Sequence, residues 1–346
     1  MKCEMKSTKN ASQTGSIFGK HLKFLLPIIC LSLLSCGNQE KYYLTQGEIF
    51  KTSAHIKYKY HKDLGEEIFA RLDSFDLSLN PFNPQSIISK VNHNEAVEVD
   101  DWFITVFNKA QEISQLSDGC FDITCAPLIN LWGFGYEKMD KISPEVIDSL
   151  MQFVGYQKVW LEGRQVVKAD PRLQLNASAI AKGYAVDVVA ELLQSYGIGD
   201  YMVEIGGEVR TQGKNPSGRS WNVAVLKPVD DSSGQIRQQQ EVIPLSDYSL
   251  ATSGNYRNYY IKDGRKYAHT INPATGYPVE ETILSASVMY PDCMTADALA
   301  TAFIVMGMDK AVALAQTIPG LDYLFIYSDE KGNLLEKNSN NFVTVL

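Results

Sequence analysis

Asp297 and Thr301, in the run Thr295-Ala296-Asp297-Ala298-Leu299-Ala300-Thr301, are four residues apart. On a helix that spacing sends a carboxylate and a hydroxyl off one face. Such a pair suits Mg2+, which takes few protein oxygens and completes its octahedron with phosphates and water. The same residues also fit plain roles, Asp297 steadying a first helical turn and Thr301 packing. A second run, Asn176-Ala177-Ser178-Ala179-Ile180-Ala181-Lys182-Gly183-Tyr184, leads from small residues straight into a helical pattern. Helix N-termini offer free N–H donors and the positive end of a dipole, so phosphate is their natural guest, and Lys182 would add a point charge. A solvated lysine is the bland alternative. Gly206-Gly207-Glu208, after the next strand, lets a backbone come close to another group.

His269 stands in the polar turn Tyr267-Ala268-His269-Thr270-Ile271-Asn272-Pro273-Ala274-Thr275-Gly276, shortly after Ala251-Thr252-Ser253-Gly254-Asn255-Tyr256. An imidazole there can move protons near neutral pH, or simply bond a neighbouring carbonyl. The remaining dense segment is Gly119-Cys120-Phe121-Asp122-Ile123-Thr124, continuing from Pro127 to Gly135. Glycines flanking large aromatics make a loop that can lie against a planar ligand, although a structural turn uses the same residues. There is no G-x-x-x-x-G-K-[ST], no G-x-G-x-x-G after a strand, no H-E-x-x-H and no G-x-S-x-G. The usual nucleotide-binding and hydrolase patterns are therefore unsupported.

The elements that must hold these groups alternate. Ala54 to Lys59, Tyr201 to Ile205 and Trp221 to Leu226 read as strands. Leu64 to Phe75, Asp101 to Leu116, Ala181 to Tyr196 with Gly197 as the stop, and Ala296 to Met306 read as helices. Mixed in this order, they argue for an α/β or α+β fold. The polar stretch from Asp230 to Gln240 reads as an exposed loop.

Residues 1–35 read differently from the rest. Five lysines precede an apolar run from Phe24 to Leu34, of signal-peptide length, ending in Leu33-Leu34-Ser35-Cys36. This is similar to a bacterial lipobox, in which Cys36 carries lipid and anchors an exported protein to a membrane; a plain secretory signal or an uncleaved anchor is the alternative. Removing that basic leader leaves the body more acidic than the whole-chain net charge of −8, which argues against a nucleic-acid partner. Cys120, Cys125 and Cys293 then remain, without C-x-x-C spacing. A zinc site or disulfide scaffold is not expected, and buried thiols are the default over a Cys120–Cys125 bridge.

Together the segments resemble the ApbE family, the FAD:protein FMN transferases, from about Phe50 to the C-terminal region. The motifs come in family order: F-x-P-x-S-x-I at Phe82 to Ile88, G-x-F-D-x-T-x-x-P-L-x-N-L-W-G-F-G from Gly119, A-K-G-Y-A-V-D at Ala181 to Asp187, and G-G-E. Then follow A-T-S-G-N-Y-R from Ala251, H-x-I-x-P-x-T-G from His269 and A-D-A-L-A-T from Ala296. The resemblance implies a single compact ApbE-like (T-fold-like) unit over 49–346, behind a signal peptide (1–35) and a lipidated tether (36–48). It implies Mg2+ held by the Ala179 carbonyl, Asp297 and Thr301, and FAD contacts at Phe50, Phe82, Cys120, Phe121, Asp122, Asn176, Lys182 and near Ile271. His269 matches the family's catalytic histidine. The implied reaction moves FMN from FAD to a threonine of an acceptor flavoprotein, such as a redox-driven ion pump subunit or an extracytoplasmic electron carrier, releasing AMP. An Mg2+-dependent FAD pyrophosphatase and a non-catalytic FAD-binding lipoprotein are the alternatives. Asn176 and Asn272 stand where the family often has Asp, which bears on adenosine recognition and the proton path.

Overall fold

The computed structural model describes residues 40–137, 142–226, 239–255, 259–262, 265–280, 283–329 and 331–342. Its strands are β1 (Lys41–Ile49), β2 (Thr52–Tyr60), β3 (Val159–Glu162), β4 (Gln165–Lys168), β5 (Tyr201–Ile205), β6 (Glu208–Gln212), β7 (Trp221–Leu226), β8 (Gln239–Leu245), β9 (Ser249–Gly254), β10 (Tyr259–Lys262), β11 (Arg265–Ala268), β12 (Ile283–Tyr290), β13 (Asp322–Ser328) and β14 (Leu334–Asn338). The helices are α1 (Gly65–Leu79), α2 (Ile87–Asn92), α3 (Asp101–Leu116), α4 (Ala126–Leu131), α5 (Pro144–Met151), α6 (Ala181–Ser195), α7 (Cys293–Met306) and α8 (Met308–Ala315).

Eight strands form one sheet in the order β1-β2-β5-β6-β9-β12-β13-β14. Every pairing along it is antiparallel, so the fold is α+β. Neighbouring residues on a strand point to opposite faces, and the two faces have separate cores. Ala251 and Phe325 belong to the core beneath the helices. Their neighbours Leu250 and Leu324 belong to a second core with Val223, Val225, Ile243 and Leu245 of the β7–β8 hairpin. One face of the sheet therefore carries helices and the other a β-ribbon.

The helices follow from pattern and caps. In α1, Ile68, Leu72, Phe75 and Leu79 are buried along one side. Helix α3 starts at Asp100, whose carboxylate accepts from Phe103 N. Helix α7 is apolar nearly all round and is buried accordingly, against β9, β12 and α6. It begins three residues before the predicted Ala296, because Asp292 caps it by accepting from Thr295 N at 2.8 Å. Asp297 is thus free of the capping role. A third cluster, with Leu128, Leu131, Trp132 and Ile147 of the α4–α5 region, packs under Ile271 and supports the His269 turn.

Two boundaries are corrected. Residues 41–48 are strand β1, not tether: Thr45 and Ile49 point inward while Leu44, Gln46 and Glu48 face out. An edge strand with one wet face needs few apolar residues, which hid it. Gln239 and Gln240 likewise open β8 instead of ending a loop, while residues 227–238 lie outside the described residues. The leader, with Cys36, also lies outside them. No helix among the described residues is long and apolar enough to cross a membrane.

Candidate active site

A cleft of about 970 Å3 opens where the β1–β2 turn, the end of α1, the Cys120–Cys125 loop, the α6 start, the β5–β6 turn, β9, the His269 turn and α7 meet. Phe50, Phe82, Cys120, Phe121, Asp122, Ala179, Asn176, Lys182, His269, Ile271, Asp297 and Thr301 all line it. Residues spread over most of the chain are thus brought to one place.

The acidic corner is built by two helices in contact. A Cβ on Gly183 would stand 2.3 Å from Cys293 O and 2.7 Å from Asp297 Cβ, so only glycine lets α6 come this close to α7. At that point Gly183 N, one of the N–H groups a helix start leaves without an internal partner, donates to Asp297 Oδ2 at 2.9 Å. Asp297 is buried, and Thr301 follows one turn later with its hydroxyl 3.4 Å from Ser253 Oγ of β9. Asp187 locks the same crossing from the other side. Its carboxylate accepts from Cys293 N at 3.0 Å and Met294 N at 2.8 Å, and pairs with Arg210 at 2.7 Å. Burial pushes the Asp187 carboxyl up to about 6, against the pull of Arg210 and those two N–H groups.

Lys182, beside Gly183, meets the buried Glu208 at 2.5 Å. Burial works against its charge, but Asp297 and Glu208 outweigh that and raise the ammonium above the usual lysine value. Burial also raises the Glu208 carboxyl, with Lys182 opposing.

The loops are held by their own polar side chains. Asp122 caps the short turn Ile123–Cys125: one oxygen accepts from Thr124 N and Thr124 Oγ1, the other from Tyr156 N. Burial pushes its carboxyl upward while these hydrogen bonds oppose. Asn176 ties two segments together, its N–H donating to Ile123 O at 2.7 Å and its Oδ1 accepting from Ser178 N at 2.9 Å. The β1–β2 turn presents Phe50 and Lys51 at φ of 54° and 59°, the left-handed region that side chains rarely adopt. Phe50 packs edge-on against Phe75, and Lys51 lies over the exposed ring of Phe82. His269 meets the Phe134 ring at 6.3 Å; Phe134 stacks on Tyr260, Tyr260 on Tyr267, and Tyr267 on Trp132. Cys120, Cys125 and Cys293 are free thiols, all pushed upward by burial.

The ApbE family profile matches residues 50–325. The chain belongs to the ApbE family. It is 38% identical over 297 residues to the FAD:protein FMN transferase of Vibrio cholerae, covering 83% of this chain and 88% of that one. With the same enzyme of Haemophilus influenzae it shares 35% identity over 331 residues, 91% of this chain and 94% of the relative. The solved structure of the flavin transferase ApbE from Vibrio cholerae superposes with a TM-score of 0.79 at 35% identity, covering 88% of this chain and 98% of that chain.

Within this ApbE chain the two asparagines have defined work. Asn272 Oδ1 accepts from Ala274 N at 2.9 Å, and its backbone closes the turn with Tyr277 and Gly276. Asn176 accepts in the same manner. Both tasks use a side-chain oxygen as acceptor, which amide and carboxylate supply alike. Sequence reasoning missed three contributors: Gly183 as the helix contact, Asp187 as the clamp on α7, and Glu208 as the partner of Lys182. All three stand inside the quoted motifs, and an isolated glycine inside a helical pattern was the one physical signal beside them. A glutamate after a Gly-Gly turn reads as solvated, and its burial depends on strands distant in sequence.

Proposed function

We propose that this chain transfers FMN from FAD to a threonine hydroxyl of an acceptor flavoprotein, with Mg2+ as cofactor and AMP as the second product. The observation that carries the reading is the convergence of Asp297, Thr301, Ala179, Lys182 and His269 on one cleft in a chain of this family. The acidic corner suits a hard cation. Asp297, Thr301 and the Ala179 carbonyl offer hard oxygen donors, and the corner buries the carboxylates of Asp297 and Glu208, the latter against the ammonium of Lys182. Among the described residues no group of three His, Cys, Asp or Glu converges as a metal cage. Few protein oxygens, the rest left to phosphate and water, is the habit of Mg2+. Asp297, Thr301 and the Ala179 carbonyl would hold it. When bound, Mg2+ neutralises pyrophosphate charge and makes AMP a better leaving group.

The chain's own groups do the remainder. Phe50 and Phe82 offer ring faces to the flavin and adenine portions of FAD. The N-terminus of α6 and Lys182 face the phosphates. His269 takes the proton of the acceptor threonine as its oxygen bonds to the phosphorus on the FMN side and the bond from that phosphorus to the AMP oxygen breaks. The His269 turn is kept in place by the Asn272 bonds and by the packed ring of Trp132, whose Nε1 donates to Gly276 O at 2.8 Å.

The acceptor is a redox-driven ion pump subunit or an extracytoplasmic electron carrier, and the enzyme is exported and held at a bacterial membrane by lipid on Cys36. The test incubates the protein with FAD, Mg2+ and a candidate acceptor domain, following acceptor mass and AMP together. A mass gain of one FMN with equal AMP supports transfer. AMP without labelling of any acceptor points to hydrolysis, and absence of both products leaves an FAD-binding lipoprotein.

A further inference from the structure

Glu208 is the buried charge in the cleft that the reaction above does not use. It opens β6 directly after the Gly206–Gly207 turn, where φ is 65° and 104°, and is only 2% exposed. One oxygen contacts Lys182 Nζ at 2.5 Å. The other, Oε2, is buried with no hydrogen-bond partner among the described residues. Lys182 therefore supplies the side-chain contact that compensates this carboxylate.

Lys182 has a second suitor. It precedes Gly183, whose N–H bonds Asp297 at 2.9 Å, so its ammonium shares one corner of the cleft with both carboxylates. The ammonium nevertheless sits in direct contact with Glu208. A lysine on a flexible stem released from Glu208 would move to Asp297, cover its oxygens and compete with any cation there.

We infer that Glu208 is a positioning residue that holds Lys182 off Asp297 and thereby sets how tightly the cleft takes a divalent cation. This rests on the reading that Asp297 and Thr301 hold Mg2+. It requires the effect of Glu208 to pass through Lys182, unlike a ligand or a free-standing charge.

The test titrates Mn2+ alone into the full chain and reads free Mn2+ by electron paramagnetic resonance. Glu208→Gln weakens Mn2+ binding roughly tenfold, the usual scale for a partner of a metal site. In a Lys182→Met background the same change costs less than about twofold, since no ammonium remains to be released. Equal losses in both backgrounds, or no loss in either, overturn the inference. Absence of saturable Mn2+ binding in the unaltered chain overturns the inference, and the Mg2+ dependence of AMP release then decides the metal reading separately. Melting curves without metal accompany each variant. If Glu208→Gln does not fold, Glu208→Asp, which shortens the arm and keeps the charge, is compared across the same two backgrounds. A loss confined to chains with Lys182 then supports the inference, and any other pattern overturns it.

Discussion

Gly183→Ala sets two effects of opposite sign against each other. Alanine is the better helix former, and in an exposed helix the change would stabilise by about 1 kcal/mol. In α6 the new methyl would stand 2.3 Å from Cys293 O and 2.8 Å from Cys293 C, both backbone atoms of α7 that cannot rotate aside. The helices must part by roughly an ångström, and overpacking of that kind costs about 1–3 kcal/mol. Parting them also stretches the 2.9 Å bond from Gly183 N to the Asp297 carboxylate, and a hydrogen bond to a charged group contributes about 1.5–3 kcal/mol. The net expectation is a loss of about 1.5–5 kcal/mol. At roughly 2 °C per kcal/mol for a domain of this size, melting falls by about 3–10 °C. Because Asp297 moves with α7, the Mg2+ concentration needed for half-maximal AMP release rises as well. Calorimetry paired with an Mg2+ titration measures both. A melting point raised by about 2 °C, with unchanged Mg2+ dependence, would mean that propensity wins and that the helix contact does not position Asp297.

Other expectations concern single groups. His269→Ala lowers acceptor labelling by about 10²–10⁴-fold while melting is little changed, and full labelling across pH would exclude the base role. Asp187 carries its raised carboxyl, about 6, only in the folded state, so the fold holds a proton there that the unfolded chain releases from about pH 4. Stability should therefore decline as pH rises from about 4 to 6, by at most about 3 kcal/mol. Asp187→Asn should flatten that slope in melting curves, and an unchanged slope would place its origin elsewhere. Asn272→Asp leaves stability within about 0.5 kcal/mol because the acceptor oxygen remains, whereas Asn272→Ala loses about 1 kcal/mol; denaturant titration separates the two.

How far the sequence reached depended on whether a feature was local. The period of Ala181 to Tyr196 and the stop at Gly197, which has φ of 76°, gave α6 almost to the residue. The Asp297, Lys182 and His269 segments were visible because each concentrates Gly, Asp, Thr or His within a few positions. Their meeting in one cleft followed only from resemblance to a family, since no spacing rule links Asn176 to Asp297. Strand β1 was hidden because an edge strand is stabilised from one side and tolerates Lys41, Gln46 and Glu48. The β7–β8 ribbon was half visible: Trp221 to Leu226 alternates, but the partner begins in a glutamine run. Glu208 and Asp187 stood inside the family motifs, but their roles were not legible, because burial of a carboxylate is decided by which distant cation the fold brings to it.

The strand order has a consequence for how this cleft comes into being. Strand β2 ends at Tyr60, yet its inner neighbour β5 begins at Tyr201, and the cleft wall is completed by α7 at Asp297 and Thr301. Joining segments so far apart costs loop-closure entropy that only the finished core repays. A nascent or truncated chain ending before Cys293 would carry Phe50 and Asn176 but neither the acidic corner nor the α7 side of the core. Ligand capture is therefore tied to synthesis of the chain through α7, and no fragment ending before Thr301 should retain the pocket.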